Sequence, residues 1–169
     1  MVALFYAFAL ELQANIVESA YIADILKLSV QEWIDLLNDS SIFTPESLEM
    51  IQYIYRRPNH QATATDIGLH FGFHANKASS ITVFLAKRIL DKLGKEPQKR
   101  ENGENIFWNI PFQGVKPGEA QNKKLWMWRI RPNLVEAIST LYSDLEPIYD
   151  EPEEEYSPEN DDEPKNSKG

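Results

Sequence analysis

The sequence predicts a mainly α fold with a small β-hairpin, carrying a helical extension in front and a disordered acidic tail behind. Three observations predict it. Apolar residues recur at helical spacing from Thr44 to Leu93, alternate from Asn105 to Arg131, and return to helical spacing after Pro132. Gly72 and Gly94 fall where helices must turn or stop. Charge divides the chain into an extension (1–43), a central module (44–142) and a tail (143–169) carrying −5, +5 and −9. A basic module between acidic flanks points to a polyanionic partner.

Residues 1–43 read as an acidic helical extension. An apolar stretch runs from Val2 to Ile16, and Ser29 and Glu32 stand at capping-box spacing ahead of Trp33, Ile34, Leu36 and Leu37. Two antiparallel helices packed together account for this pattern, with docking of a partner or a homodimer as their role. The opening MVALFYAFALELQ lacks a basic leader region and a small-residue cleavage site, and Glu11 interrupts it. Neither a signal peptide nor a membrane span is expected, and the chain contains no cysteine. A cytoplasmic protein without membrane contact follows as the expectation.

The central module opens at Thr44, a good N-cap, with Pro45 at the first helical position and Glu46 at the positive helix end. Leu48, Ile51, Ile54 and Tyr55 supply its apolar stripe, and Pro58 ends it. A second helix is expected from a Thr65 cap to Gly72, and a long third helix from Ala75 to Leu93. NIFWNIPFQGV and KKLWMWRIR read as two strands around the polar loop KPGEAQNK, with Pro111 marking the first as an edge strand or bulge. PNLVEAISTLY is the closing helix. Three helices, a hairpin and a helix in this order make a winged helix-turn-helix. The tail is rich in Glu, Asp, Pro, Ser and Asn and is expected to be disordered from about Tyr149.

On the long helix, Ala78, Ile81, Leu85, Ile89 and Leu93 share one sector and must face the core. Asn76, Ser80 and Lys87 lie opposite, flanked by Lys77, Phe84 and Arg88. Asn can pair bidentately with adenine, and Lys with guanine or a phosphate, so this side suits the major groove. Solvated surface charge is the plainer reading of the same lysines. Thr63 and Thr65, ahead of the second helix, join the candidate DNA contacts, as do Lys116, Lys123 and Lys124 near the hairpin tip. Arg129 and Arg131 alternate with Trp126, Trp128 and Ile130, which places the arginines on the exposed strand face. Phe107, Trp108, Phe112, Trp126 and Trp128 are expected to be hairpin core. The sharper alternative is a pocket that stacks an extruded base.

Chemistry has few footholds. His70 and His74 are four apart, but Gly72 separates them and no H-E-x-x-H pattern is present. No phosphate-binding glycine loop and no G-x-S-x-G elbow occurs. No cofactor and no metal are expected, and a non-enzyme is the reading.

The motifs ATATDIGLHFGF and ITVFLAKRILDKLG, followed by FWNIPF and WMWRIRPNLVEAI, resemble a DNA-reading domain of bacterial HNH-type restriction endonucleases. Ala62 to Ile67, Gly72, Leu85 to Ile89 and Gly94 carry the first part of the likeness, and Trp108, Trp128, Arg131, Pro132, Leu134 and Ala137 the rest. The resemblance covers about residues 44–142 and implies reading of double-stranded DNA, including modified bases, on behalf of a nuclease. No HNH part follows, so cleavage is not implied. A reader acting in DNA defence with a nuclease partner, or in transcriptional regulation, is the resulting expectation. The alternative is a protein-interaction adaptor or a DNA-mimic inhibitor acting through the acidic tail and N-terminal helices.

Overall fold

A computed structural model describes residues 23–114 and 126–149. Five helices occupy about half of them: α1 (Val30–Leu37), α2 (Pro45–Arg56), α3 (Ala64–Phe71), α4 (Ala75–Leu93) and α5 (Pro132–Leu141). Strands β1 (Gln61–Thr63), β4 (Phe112–Gly114) and β5 (Met127–Ile130) form an antiparallel sheet in the order β1-β5-β4. Strands β2 (Gln98–Lys99) and β3 (Asn105–Ile106) make a separate antiparallel ribbon. The fold is therefore mixed α and β rather than mainly α.

Helix ends follow local chemistry. Ser29 and Glu32 form the expected capping box on α1, which pulls the Glu32 carboxyl below its ordinary range through its bonds to Ser29. Thr44 precedes Pro45 at the start of α2, as expected. On α3 the cap is Thr63, not Thr65. The Thr63 hydroxyl accepts the Asp66 amide (3.0 Å), and Asp66 reaches back to the Thr63 amide (2.9 Å). Pairing of Gln61–Thr63 with β5 keeps the chain extended up to Thr63, which shifts the cap two residues upstream.

Gly72 ends α3 in the left-handed region (φ 72°), and three residues later α4 begins. The corner is closed by Phe73 N–H donating to the Gly68 carbonyl (2.9 Å). Gly68 is buried within α3, where an added Cβ would lie 2.5 Å from the Phe73 carbonyl oxygen. The absence of a side chain there lets the two helices meet.

One apolar core runs through the described residues. Trp33 and Leu36 of α1 join Ile51 and Ile54 of α2, Leu85 and Ile89 of α4, and Leu134 and Ile138 of α5. The 23–43 segment is thus built into the same core as the central module, with α1 lying against α5. Residues 1–22, including the apolar stretch from Val2 to Ile16, lie outside the described residues. Of the segment assigned to the acidic tail, 143–149 packs back: Leu145 and Ile148 touch the core, and Ile148 N–H donates to the Arg56 carbonyl (2.8 Å).

Arg131 overturns its expected exposure. Strand β5 ends at Ile130, and Arg131 becomes the N-terminal cap residue of α5, 2% exposed. Its Nη2 donates to the carbonyls of Asn109 (2.6 Å) and Ala23 (2.8 Å), and Asp24 lies 3.9 Å from Nε. The expected first hairpin strand is also divided. Asn105–Ile106 pairs with Gln98–Lys99, and only Phe112–Gly114 pairs with β5, at the sheet edge beside Pro111 as that proline requires.

Two stability outcomes follow. Gly68→Ala should cost about 2 kcal/mol or more by overpacking, against about 1 kcal/mol for Gly72→Ala, whose cost is only left-handed backbone. Urea unfolding of both variants checks the order, and a milder Gly68 effect would contradict the close helix contact. Arg131→Ala, which leaves the buried Asn109 carbonyl and the Ala23 carbonyl without their donor, should lose about 3 kcal/mol in the same assay.

Candidate nucleic-acid interface

The face built by α3, its turn and α4 is where the sequence placed its DNA contacts. Helix α4 has 19 residues, which gives it a length of about 28 Å. Ala78, Ile81, Thr82, Leu85, Ala86, Ile89 and Leu90 are buried along its inner side. Asn76, Ser80, Phe84 and Lys87 are exposed on the outer side, with Phe84 58% accessible. Residues 76, 80 and 84 form one i, i+4 row, so a hydrogen-bonding pair leads into an aromatic ring. The start of this row is ordered by His74, whose Nδ1 accepts the Asn76 amide (3.2 Å). The Ser80 hydroxyl donates back to the Asn76 carbonyl (3.0 Å).

The cations differ sharply from one another. The Lys87 ammonium sits 5.8 Å from the Phe84 ring centroid and 5.3 Å from that of Phe107, and it makes no ion pair among the described residues. Lys77 bridges to Glu46 at 2.8 Å and lies over Phe73, and those two partners help line a small hollow of about 130 Å³ with Glu49, Met50 and Phe71. That pair is more than half exposed, so it contributes about 0–1 kcal/mol and can open at little cost. Arg88 turns inward instead. Its Nε donates to the Ile42 carbonyl (2.7 Å) and its Nη2 to the Ser47 hydroxyl (3.4 Å), and burial pushes the guanidinium below its usual pKa, opposed by Glu46.

Other expected contacts scatter. Thr63 is 3% exposed and spent on the Asp66 cap, whereas Thr65 is exposed in the first turn of α3. Arg129 is fastened across the sheet, with Nε and Nη2 both donating to the Gln61 side-chain oxygen (3.0 and 2.8 Å). Lys116, Lys123 and Lys124 lie outside the described residues. The structure thus brings Asn76, Lys77, Ser80, Phe84 and Lys87 together and leaves Thr63, Arg88 and Arg129 bound to their own fold.

The hairpin aromatics divide too. Phe112 and Trp128 are buried and stacked, 5.3 Å apart with planes 4° from parallel. Trp108 and Trp126 meet edge to face at 5.3 Å, with Trp126 45% exposed. His70 stacks on Tyr53 at 4.0 Å, well apart in role from the capping His74. Among the described residues no group of three or more His, Cys, Asp or Glu is placed to hold a metal ion. No helix there is long and apolar enough to cross a membrane.

Sequence reading missed two surface features. Leu69 is 79% exposed on α3. Arg56 and Arg57 line a second cleft, whose one advance signal was their position just before Pro58. No protein-family model, curated protein or solved structure matches the chain.

The contrast between neighbouring cations is measurable. Arg88→Ala should lower stability by about 1–2 kcal/mol through its lost hydrogen bonds, while Lys87→Ala should stay within about 0.5 kcal/mol of the parent. Thermal unfolding of both variants distinguishes the inward group from the outward one.

Proposed function

We propose that the chain is a non-catalytic winged-helix protein that binds double-stranded DNA with the outer side of α4. The observation that carries this reading is the tight α3–turn–α4 corner, which leaves the row Asn76, Ser80, Phe84 and Lys87 exposed along a helix that is otherwise well packed. A three-residue turn containing glycine is the joint of a helix-turn-helix. An exposed second helix with donors and acceptors near its start is what base edges in the major groove require. Strand β1 between α2 and α3, paired with the second strand of the β4–β5 hairpin, supports the winged form. The hairpin loop, with its three lysines, is the natural second contact on phosphate.

In this reading the protein acts by occupancy, as a regulator or as the reading component of a DNA-defence system that recruits a nuclease. The acidic tail competes with DNA for the basic side and weakens non-specific binding.

A second reading has its own support. Lys77 and Arg88 are engaged with Glu46 and with the fold, and Leu69 and Phe84 expose apolar surface on the same pair of helices. Such a face also suits a protein partner, in keeping with an adaptor.

Fluorescence anisotropy with unmodified and base-modified duplexes, at low and near-physiological salt, separates the two. DNA reading requires binding at about 50 mM salt that weakens steeply as salt rises. Lys87→Glu with Asn76→Ala should then reduce affinity more than tenfold without lowering the melting temperature. Failure to bind any duplex at low salt would refute the DNA reading and leave the adaptor.

A further inference from the structure

The row Asn76, Ser80 and Phe84 on α4 changes character along its length, and each side chain offers a ligand something different. His74 and Ser80 bond only the backbone of Asn76, its amide at 3.2 Å and its carbonyl at 3.0 Å. The exposed side-chain amide of Asn76 therefore keeps a donor and an acceptor side by side. That pair matches the N7 acceptor and N6 donor of adenine in the major groove. The Ser80 hydroxyl has a single hydrogen, which it gives to the Asn76 carbonyl. Only oxygen lone pairs remain, so Ser80 accepts, and an amino group of adenine or cytosine is what it can meet.

Phe84 breaks the pattern. Its ring is 58% exposed on a helix whose inner side, with Ile81, Leu85 and Ile89, is already buried. The ring stands one turn beyond Ser80, where the next base edge would be met. Those edges carry acceptors and amino donors, and a phenyl ring laid on them strips their water without replacing its hydrogen bonds. The apolar group on offer there is a methyl on C5 of a pyrimidine, which thymine carries and unmodified cytosine lacks. An exposed ring in this row thus favours a C5-methyl by burial and rejects bare edges by leaving them unpaired.

Lys87 completes the neighbourhood. Its ammonium lies 5.8 Å from the Phe84 centroid and 5.3 Å from that of Phe107, which follows β3. A cation attracted to both rings is kept within one turn of Phe84, where it can meet a guanine edge or the flanking phosphate. Phe84 lies eight positions after Asn76, about 12 Å along the helix, or roughly three to four base-pair steps.

We infer that, given the DNA reading of this face proposed above, α4 selects a site in which a C5-methyl group meets Phe84. An adenine held by Asn76 lies roughly three to four base pairs away.

Selection of the full chain on a random duplex pool at about 50 mM salt, followed by fluorescence anisotropy on the enriched duplex, tests this. Each thymine is replaced in turn by deoxyuridine, which removes the methyl and leaves the pairing edge intact. At one thymine the replacement should weaken binding about threefold or more, the effect of one buried methyl group. Phe84→Ala should weaken the thymine duplex by at least as much and bind both forms equally. Asn76→Ala should lose the preference for adenine at the partner position. Both residues are exposed, so melting temperatures should stay within about a degree or two of the parent. Cytosine and 5-methylcytosine at the sensitive position separate the sources of the methyl. Affinity restored by methylation assigns the contact to the methyl of either base, and affinity not restored assigns it to thymine. Binding that survives deoxyuridine at every thymine, enrichment of no defined site, or a thymine preference that persists in Phe84→Ala would overturn the inference and leave DNA binding by α4 standing. Binding to no duplex would overturn both.

Discussion

The buried guanidinium of Arg131 is the constraint on which the arrangement of the rest depends. It lies where β5 hands over to α5, and its donors reach Asn109 ahead of β4 and Ala23 ahead of α1. Three parts of the chain distant in sequence are thereby fixed to one planar group. Taking a cation out of water is costly, and the cost is met only when its hydrogens find acceptors of good geometry. Burial depresses the Arg131 pKa and Asp24 opposes that, yet an arginine stays charged throughout the accessible pH range. Asn133 adds a second tie along the same seam, donating to the Leu28 carbonyl (2.8 Å). Helix α1 is therefore seated on α5 by directional bonds as well as by Trp33, Leu36 and Leu37.

This seating explains why the α4 face is so well defined. Its inner side is buried along most of its length, and α3 is drawn against it by the small radius of Gly68. Arg88 reinforces the joint from the other side by gripping the Ile42 carbonyl between α1 and α2. The outward residues are held by packed helices rather than by loops, the condition for a recognition surface that need not rearrange on binding. The 3-10 turn Pro58–His60 stands on different footing: Asn59 and His60 are left-handed, and the arm 145–149 beside it is fastened by two backbone acceptors.

Much of this was legible in the residues. Helix α4 runs over the span its periodicity predicts, and its buried and exposed sides fall as the helical wheel requires, because nineteen residues give a period ample room to declare itself. Ser29–Glu32 and Pro45 mark helix starts by local chemistry that needs no tertiary partner. What escaped was decided at a distance. Strand β1 has three residues, too few for an alternation, and exists because β5 pairs with it. That pairing in turn moved the cap from Thr65 to Thr63. Arg88 and Arg131 look in the sequence like any surface cations, and only the carbonyls left unpaired by other segments draw them inward. The left-handed pair Asn59–His60 carries only a weak signal, since asparagine and histidine enter that region more readily than most side chains but neither is a glycine.

The brevity of the outer strands has a consequence for how copies of this chain can associate. At the margins of the sheet stand β1 and β4, three residues each, the latter headed by a proline that has no N–H to give. A foreign strand seeking to lengthen the ladder would find one or two rungs before the backbone turned away. Among the described residues, the edges of this sheet therefore discourage self-assembly by strand exchange and fibril-like stacking.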